Sequence, residues 1–346
     1  MIEKVLRFGL VGTGRISDSY VQAFKGLTSA RLVAVADVVP EAAHTLAAKA
    51  GCEAYDSYQK MYEENALDAV IICTPPISHP EIAVYFLERQ THVLCEKPLS
   101  VDLSGARLML ATARQAGVKL TMASKFRYVE DVMRAKSIVR SGILGDILLV
   151  ENTFASRVDM SERWNSDPRV GGGGVLIDNG THSVDIMRYL LGPLAHVQVV
   201  EGRRPSGLSV EETVQLFVRS ASGAIGSIDL SWRLHKEVDY YLNIYGVHGT
   251  VCVGWKNSKY RQANSRDWIV FGEGYDKVQA FRSQLENFCA AIRGEDALVI
   301  TAADALASVE VIEAAYAAMH ANAWTTISPR PEGAADLLDI EEILIA

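Results

Sequence analysis

Leu6-Arg-Phe-Gly-Leu-Val11, a short apolar run, passes directly into Gly12-Thr13-Gly14-Arg15-Ile16-Ser17. The run predicts a strand, and the residues after it open a predicted helix over 17–25. Gly12 permits a tight turn, and Gly14 lets a pyrophosphate approach the backbone at the helix N-terminus, where free N–H groups and the helix dipole favour an anion. Ser17 stands where the usual fingerprint has its third glycine, and it is small enough for close helix–strand packing. The stretch predicts a dinucleotide-binding Rossmann unit.

The strand and helix signals alternate up to Met122 and then change. Predicted strands at 6–11, 31–36, 69–73, 92–95 and 119–122 alternate with predicted helices at 17–25, 40–50, 80–89 and 104–116. This alternation is typical of a parallel sheet with right-handed crossovers. Beyond it, a helix at 132–141 precedes predicted strands at 146–154, 195–201, 213–220, 224–232, 240–245 and 249–253, and helices follow at 277–293 and 302–321. Strands at this spacing, joined by Gly/Ser turns, indicate one largely antiparallel sheet.

The composition narrows the class of protein. A chain of 346 residues favours two domains, and it has neither an apolar run of membrane-spanning length nor a basic-then-apolar N-terminus. Its five scattered cysteines form no CxxC or Cys/His cluster, so we expect no disulfide framework and no metal site. The formal charge of −8 argues against nucleic acid as the main partner. We expect a soluble, cytoplasmic protein with no nucleic-acid or membrane partner.

Asp37 lies 23 residues after Gly14, at the end of the second predicted strand. A carboxylate there can accept hydrogen bonds from the adenosine ribose hydroxyls, and it would repel a 2′-phosphate. The next residues are Val38, Val39 and Pro40, so no arginine follows immediately to bind that phosphate. The sequence therefore predicts NAD in preference to NADP; the alternative is an aspartate that only caps a helix or a turn.

Two further motifs end neighbouring predicted strands: Thr74-Pro75-Pro-Ile-Ser-His79 and Glu96-Lys97-Pro98. Because ligands of parallel sheets bind at the carboxyl ends of strands, we expect Thr74 and Pro75 to line the cofactor site. His79 either contacts the cofactor or caps the next helix. Pro98 keeps Lys97 out of helical geometry. A lysine at this position can bond both the nicotinamide ribose and a substrate hydroxyl, the alternative being a surface lysine before a turn.

A second glycine run, Gly171–Gly174, precedes Asp178 and His182. We expect the run to be a flexible approach to a helix that extends to Leu191. Spacing i,i+4 on that helix puts Asp178 and His182 on one face. A histidine of ordinary pKa can accept a hydroxyl proton while hydride leaves the same carbon, and an aspartate can orient it. Asp185 falls three residues beyond His182, and we expect it to meet Arg188 on the helix surface. The alternative for the pair is a capping aspartate followed by a half-buried packing histidine.

Together these segments resemble the Gfo/Idh/MocA family, named for glucose-fructose oxidoreductase and inositol dehydrogenase. The resemblance runs over residues 4–327, and its motifs match in order and spacing: Gly12-Thr13-Gly14-Arg15-Ile16, Thr74-Pro75 with His79, Glu96-Lys97-Pro98, and Gly172-Gly173-Gly174 with Asp178, Gly180, His182 and Asp185. It implies a Rossmann domain followed by an α+β domain whose large open sheet commonly forms the interface of a homodimer or homotetramer. We therefore expect an NAD-binding domain over 1–123, a substrate-binding and oligomerisation domain over 124–327, and an extension over 328–346 without assigned role.

The resemblance also implies roles for single residues. Lys97 and His182 carry the chemistry, and members differ over which of the two carries the proton; Asp178 binds substrate and assists His182. We assign the cofactor to Gly12, Thr13, Gly14, Arg15, Ile16, Asp37, Thr74, Pro75, His79, Glu96 and Lys97. We assign the substrate to Lys97, Arg127, Trp164, Asp178 and His182. Trp164-Asn165 stands where many members have Trp-Arg, which puts one cofactor contact in question.

Three functions follow from these motifs. The first is an NAD-dependent dehydrogenase that acts on a secondary alcohol of a sugar, cyclitol or sugar derivative. The second is a redox-neutral glycosidase that uses NAD transiently, and it would release sugar without accumulating NADH. The third is a non-catalytic, dinucleotide-sensing regulator, which need not keep Lys97, Asp178 and His182 together. We favour the dehydrogenase.

Overall fold

The computed structural model describes residues 4–161 and 163–327, and these residues form two compact units. The first unit contains residues 4–125 and 277–306, and the second contains residues 126–276 and 307–327. The expected segment 328–346 lies outside the described residues. None of the helices in the described part of the chain has both the length and the apolar character needed to cross a membrane.

The first unit alternates strands and helices as its sequence predicts. Its elements are β1 (Leu6–Val11), α1 (Ser17–Phe24), β2 (Ala30–Ala36), α2 (Pro40–Ala50), β3 (Glu53–Tyr55), α3 (Tyr58–Glu64), β4 (Ala69–Ile72), α4 (His79–Leu87), β5 (His92–Glu96), α5 (Leu103–Ala116) and β6 (Leu120–Ala123). The strands form a six-stranded sheet in the order β3-β2-β1-β4-β5-β6, and each described pairing in it is parallel. The strand order reverses beside β1, which is where parallel sheets of this kind bind ligands.

The sequence explains why single elements of the first unit form. All four residues of β4 are apolar and buried, as is usual for an inner strand of a parallel sheet that is covered on both faces. Helix α2 starts with Pro40, whose missing N–H costs nothing in the first turn, and Gly51 follows its last residue with φ +69°.

The second unit is built around a large sheet. Its elements begin with α6 (Glu130–Arg140), β7 (Ile147–Ala155), α7 (Pro168–Gly171), α8 (Val175–Leu191), β8 (Leu194–Glu201), β9 (Thr213–Ser220), β10 (Ile225–Ser231), β11 (Tyr240–Gly246), β12 (Gly249–Gly254), β13 (Ser258–Gln262) and β14 (Ile269–Gly272). The chain continues through α9 (Lys277–Arg293), α10 (Ala302–Ala321) and β15 (Thr325–Thr326). The nine strands run in the order β14-β13-β12-β11-β7-β10-β9-β8-β15, and the only parallel pairing among those described is β7 with β10. The predicted, mostly antiparallel sheet is confirmed.

One face of this sheet is covered and the other is open. Along β9, buried residues alternate with exposed or half-buried ones, as expected for a strand with one face in the core. Helix α8 packs against β7, β9 and β10. The sheet therefore supports α8, which carries polar side chains such as Asp178 and His182.

Helix α9 belongs to the first unit, although the sequence places it after the second. Its buried residues Phe281, Leu285 and Phe288 join the core around Phe8 and Tyr20. The rings of Phe8 and Phe288 meet edge to face at 6.1 Å. The expected contiguous division of the chain therefore needs correction at residues 277–306, because this amphipathic helix buries its apolar side against the parallel sheet unit rather than beside its neighbours in sequence.

Candidate active site

The turn after β1 is shaped by its two glycines. Gly12 has φ +90°, and a Cβ atom there would lie 2.7 Å from the backbone of Cys73 and Thr74, so only glycine fits. Nothing lies within 4 Å of the Cβ position of Gly14, whose backbone is open to a ligand. The N-cap residue Ile16 makes no side-chain capping bond to α1, and the N–H groups of Ser17 and Ser19 donate to the carbonyl oxygens of Gly14 and Ile16 at 3.1 and 2.9 Å.

Two side chains hold this turn in place. The hydroxyl of Ser17 is buried and donates a hydrogen bond of 2.6 Å to the carbonyl oxygen of Gly12. Ser17 thus stabilises the turn with a hydrogen bond, in addition to being small enough for close helix–strand packing. The Oδ2 atom of Asp37 accepts from the backbone N–H and the hydroxyl of Thr13 at 2.6 and 2.9 Å, and its Oδ1 atom accepts from the N–H of Val39 at 2.9 Å. Asp37 is therefore fixed beside the glycine turn as a hydrogen-bond acceptor.

His79 joins the two loops that follow β4 and β5. The ring is buried, with Nε2 2.9 Å from the carbonyl oxygen of Thr74 and Nδ1 2.9 Å from that of Pro98. Burial lowers the pKa of His79, although both carbonyls favour its protonated form. These contacts give His79 the role of a clamp between the loops, since a fully buried ring with both nitrogens occupied has no edge left for a cofactor.

The buried carboxylate of Glu96 holds the backbone of the loop that carries Lys97. It accepts hydrogen bonds from the Tyr20 hydroxyl at 2.9 Å and from the backbone N–H of Lys97 at 3.1 Å. The side-chain amide of Gln284, on α9, donates to the same Tyr20 oxygen at 3.2 Å. Burial raises the pKa of Glu96, and the charges of Lys125 and Lys97 oppose that rise. The half-buried side chain of Lys97 thus starts from a backbone that two elements hold.

The remaining residues assigned to the cofactor or substrate have less specific surroundings. Arg15 is exposed, while Ile16 packs against the apolar core of the first unit. Thr74 accepts a hydrogen bond of 2.8 Å from the Ser78 hydroxyl, and Pro75 is half-buried. Trp164 starts a short 3₁₀ helix over Trp164–Ser166 and is exposed.

In the second unit, α8 carries Asp178 and His182 one turn apart, as predicted. Asp178 lies in the first turn and is half-buried. His182 is 6% exposed, and its ring meets Phe126 edge to face with 5.1 Å between centroids. The i,i+4 spacing puts both polar groups on the same side of the helix.

The last two glycines of the run before α8, Gly173 and Gly174, are tightly packed and are not part of a flexible approach as expected. A Cβ atom on Gly173 would collide with the Tyr316 hydroxyl, and one on Gly174 would overlap the carbonyl oxygen of Glu211. The buried carboxylate of Glu211 accepts from the N–H groups of Gly174 and Leu176 at 2.9 and 3.0 Å and from the Tyr316 hydroxyl at 2.8 Å. The backbone carbonyl of Glu211 also accepts from the N–H of Val175 at 2.9 Å. Glu211 therefore caps the helix that presents Asp178 and His182.

Arg127 has a structural partner where a substrate contact was expected. Its guanidinium is 3% exposed and donates from Nε and Nη2 to the two carboxylate oxygens of Asp185 at 2.9 and 2.6 Å. A bidentate pair of this kind fixes both side chains. Asp185 is fully buried, which corrects its expected position on the surface of α8.

The structure therefore brings the predicted residues together in two sets. The glycine turn, Asp37, the Thr74–His79 segment and the Glu96–Lys97 loop meet at one edge of the parallel sheet. Asp178 and His182 share α8 in the second unit. Sequence reasoning missed Tyr20, Gln284, Glu211, Tyr316 and Phe126; all five act over long sequence separations, and only the consecutive acids Glu211 and Glu212 before a predicted strand gave a local signal.

Comparison with known proteins shows to which family the chain belongs. A family model described as the oxidoreductase family with an NAD-binding Rossmann fold matches residues 6–124, and the model of the GFO/IDH/MocA C-terminal domain matches residues 132–252. The inositol 2-dehydrogenase of Rhizobium meliloti (strain 1021) is 28% identical over 332 residues, which cover 90% of this chain and 96% of that protein. The D-glucoside 3-dehydrogenase of Escherichia coli (strain K12) is 32% identical over 196 residues, 56% of each chain.

The fold is shared with solved structures. Levoglucosan dehydrogenase in complex with NADH superposes with a TM-score of 0.87 at 21% identity, covering 94% of this chain and all of that one (100%). The two family models together span more than half of the sequence. The chain therefore belongs to the Gfo/Idh/MocA family of oxidoreductases, and its first unit is that family's NAD-binding Rossmann domain.

Proposed function

We propose that this oxidoreductase is an NAD-dependent dehydrogenase that transfers a hydride between a secondary alcohol of a sugar, cyclitol or sugar derivative and NAD, in the cytoplasm. The observation that carries the proposal is the acid–histidine pair, Asp178 and His182, on one face of a capped helix in a member of this family. The names of the relatives support the substrate class, since they are dehydrogenases of an inositol, a D-glucoside and levoglucosan.

The chemistry divides between the groups as follows. When bound, NAD⁺ would be held by the glycine turn and Asp37 and would supply the acceptor for the hydride on the carbon that bears the hydroxyl group. Lys97 donates a hydrogen bond to that hydroxyl oxygen and stabilises the negative charge that develops there. His182 accepts the hydroxyl proton, either directly or by way of Lys97, as the C=O bond forms. Asp178 binds a substrate hydroxyl and orients the imidazole.

The residues of the first unit also support NAD in preference to NADP. Asp37 lies beside the glycine turn with its carboxylate held by Thr13 and Val39, so it cannot swing away to admit a 2′-phosphate without losing three hydrogen bonds. Val38 and Val39 beside it are exposed and apolar, and they offer no positive charge to a phosphate.

We also propose that copies of the chain associate into a homodimer or homotetramer through the open face of the large sheet. Val200, Phe217 and Ile225 lie exposed on that face, on three consecutive strands. Exposed apolar side chains on the open face of a sheet favour burial against another protein surface. Phe217→Glu should shift the mass measured by light scattering toward the monomer; an unchanged mass would contradict this interface.

The dehydrogenase proposal is tested by incubating the purified protein with NAD⁺ and a panel of sugars, inositols, sugar acids and sugar phosphates, while absorbance at 340 nm is followed. We expect absorbance to rise with one class of polyol. Aryl glycosides included in the panel report on the alternative chemistry. Release of sugar from them without accumulation of NADH would replace the dehydrogenase with a redox-neutral glycosidase.

A further inference from the structure

Three buried side chains of the first unit form a series of hydrogen bonds that ends at the backbone of Lys97. The side-chain amide of Gln284, on α9, donates to the Tyr20 hydroxyl oxygen at 3.2 Å. Tyr20, on α1, donates its hydroxyl proton to Oε1 of Glu96 at 2.9 Å. Oε2 of Glu96 accepts from the backbone N–H of Lys97 at 3.1 Å. Gln284, Tyr20 and Glu96 are here called the buried chain, and it links two helices to the end of β5.

The hydrogen bonds of the buried chain can run in only one direction while Glu96 is ionised. A carboxylate only accepts, so the single hydroxyl proton of Tyr20 is committed to Glu96. The Tyr20 oxygen must then accept from the NH₂ group of Gln284, since an amide oxygen placed there would face a second acceptor. Gln284 and Tyr20 are both fully buried, and the Tyr20 ring meets Phe281 edge to face at 4.6 Å. Packing and hydrogen bonding therefore direct the Tyr20 hydroxyl at one oxygen of Glu96.

The ionisation of Glu96 depends on a balance between burial and its neighbours. Burial raises the pKa of Glu96, whereas the charges of Lys125 and Lys97 and the hydrogen bonds from Tyr20 and the Lys97 N–H oppose that rise. Burial raises the pKa of Tyr20 well above its usual range, so its hydroxyl keeps the proton that it donates. Burial and the charge of Glu96 also raise the pKa of two neighbouring thiols, which stay neutral: Cys73 and Cys95. Loss of the Tyr20 hydroxyl would therefore favour the protonated form of Glu96.

From this geometry we infer that Tyr20 and Gln284 are positioning residues for the reaction, because they keep Glu96 ionised and directed at the backbone of Lys97. The inference rests on the proposed dehydrogenase function, in which Lys97 donates to the substrate oxygen. Glu96 fixes the backbone from which that side chain starts and places a negative charge near it. A protonated Glu96 would lack this charge and would accept the Lys97 N–H less strongly. Tyr20 and Gln284 are fully buried, so each acts through Glu96 and not on the substrate itself.

The first measurement is a pH titration of the Lys97 amide by NMR on the ¹⁵N-labelled, full-length protein with NAD⁺ present. The Lys97 N–H donates to Glu96, so its chemical shift reports the protonation of that carboxylate. Tyr20→Phe removes one hydrogen bond to a charged group, and we expect the midpoint to rise by about one pH unit. Gln284→Leu leaves the bond between Tyr20 and Glu96 in place and should raise the midpoint by less. Tyr58→Phe is the matched control: it removes a 3.0 Å bond to Glu81 in the same unit and should leave the midpoint unchanged.

The second measurement is turnover of the preferred polyol. The ratio of kcat between wild type and Tyr20→Phe should increase as the pH falls from about 9 to about 5.5, by up to about tenfold, because Glu96 takes up its proton at a higher pH in the variant. The titration of His182 is common to both proteins and cancels in this ratio. If Tyr20 served folding alone, the ratio would not depend on pH.

An unchanged midpoint in Tyr20→Phe, or a kcat ratio that is constant with pH, would overturn the inference. The two measurements also separate its fate from that of the dehydrogenase proposal. A midpoint that rises in Tyr20→Phe, without turnover of any polyol by wild type, would support the control of Glu96 by the buried chain and contradict the dehydrogenase. Turnover by wild type together with an unchanged midpoint would support the dehydrogenase and contradict the positioning role.

Discussion

The two glycine clusters of this protein, Gly12 with Gly14 and Gly173 with Gly174, look alike in sequence but have different surroundings in the structure. Gly12 makes a left-handed turn packed against the backbone after β4, whereas Gly14 has nothing within 4 Å of its Cβ position and leaves its backbone uncovered. At Gly173 and Gly174 there is no room for a side chain, since Tyr316 and Glu211 occupy the positions that their Cβ atoms would take. The comparison shows that Gly12, Gly173 and Gly174 allow close approach of the protein itself, whereas Gly14 leaves room in which we expect the cofactor to bind.

The largest effect should come from filling the second cluster. Gly174→Ala places a methyl group on the backbone carbonyl of Glu211, which cannot move without disturbing the start of α8. We expect a loss of ~3 kcal/mol or more in the free energy of unfolding, measured by urea denaturation. Gly171→Ala is the control, because its nearest neighbours would lie at 3.4 Å or beyond and it should change stability little. Equal stability of the two variants would contradict the packed character of this run.

The next largest effect should come from removing Glu211, whose carboxylate caps α8 beside Gly173 and Gly174. Glu211→Ala removes three hydrogen bonds from a buried carboxylate and leaves two helix amides and the Tyr316 hydroxyl without it. We expect a loss of about 2–3 kcal/mol in unfolding free energy, with Glu211→Gln in between, since its amide keeps one acceptor oxygen. Tyr316→Phe, which loses the hydroxyl but keeps the carboxylate of Glu211 at the start of α8, should cost about 1 kcal/mol. If Glu211→Ala is no less stable than Tyr316→Phe, Glu211 does not hold α8.

Filling the first cluster should affect binding and not folding. Gly14→Ala adds a methyl group where nothing lies within 4 Å, so the free energy of unfolding should stay within about 0.5 kcal/mol of wild type. The same methyl group stands where the pyrophosphate must approach, so we expect NAD⁺ affinity, measured by calorimetry, to fall about tenfold or more. Unchanged affinity would show that the cofactor does not pass over Gly14.

The smallest effect is the pH dependence of the stability that His79 contributes by joining the loops after β4 and β5. Burial lowers the pKa of His79 in the folded state, while an unfolded histidine titrates near a pKa of about 6.5. Its contribution to stability is therefore fully present above about pH 6.5 and is lost as the pH falls toward the folded-state pKa. We expect His79→Gln to lower the free energy of unfolding at both pH values. The loss relative to wild type should be about 1 kcal/mol larger at pH 7.5 than at pH 5.5.

A difference that instead grows as the pH falls would contradict this assignment. It would mean that the folded protein holds His79 as an imidazolium, which donates to both Thr74 and Pro98. The remaining histidines are common to both proteins, so their titration cancels in the comparison.

Local patterns were sufficient where local physics decides the structure. The apolar run before Gly12 specified β1, and proline before and glycine after the alanine-rich run specified α2. The spacing of Asp178 and His182 was sufficient to place them on one helix face. The sequence did not predict the short elements β3 and α3, because three and seven residues are too few to give a periodic signal.

The sequence could not show which distant residues meet. Asp185 has an arginine three residues later on its own helix, yet it pairs with Arg127, 58 residues earlier. Gln284 reaches Tyr20 across 264 residues because α9 packs in the first unit. Such pairs depend on tertiary packing, which neither spacing nor propensity encodes.

The most direct test of the central claim compares His182→Ala and Lys97→Ala with wild type in two measurements: turnover of the preferred polyol and the dissociation constant of NAD⁺. We predict that each variant loses about 10²-fold or more in kcat, because it lacks a group that moves the proton or stabilises the alkoxide. NAD⁺ binding should persist in both, because the glycine turn and Asp37 are untouched. Turnover that survives both substitutions would contradict the account.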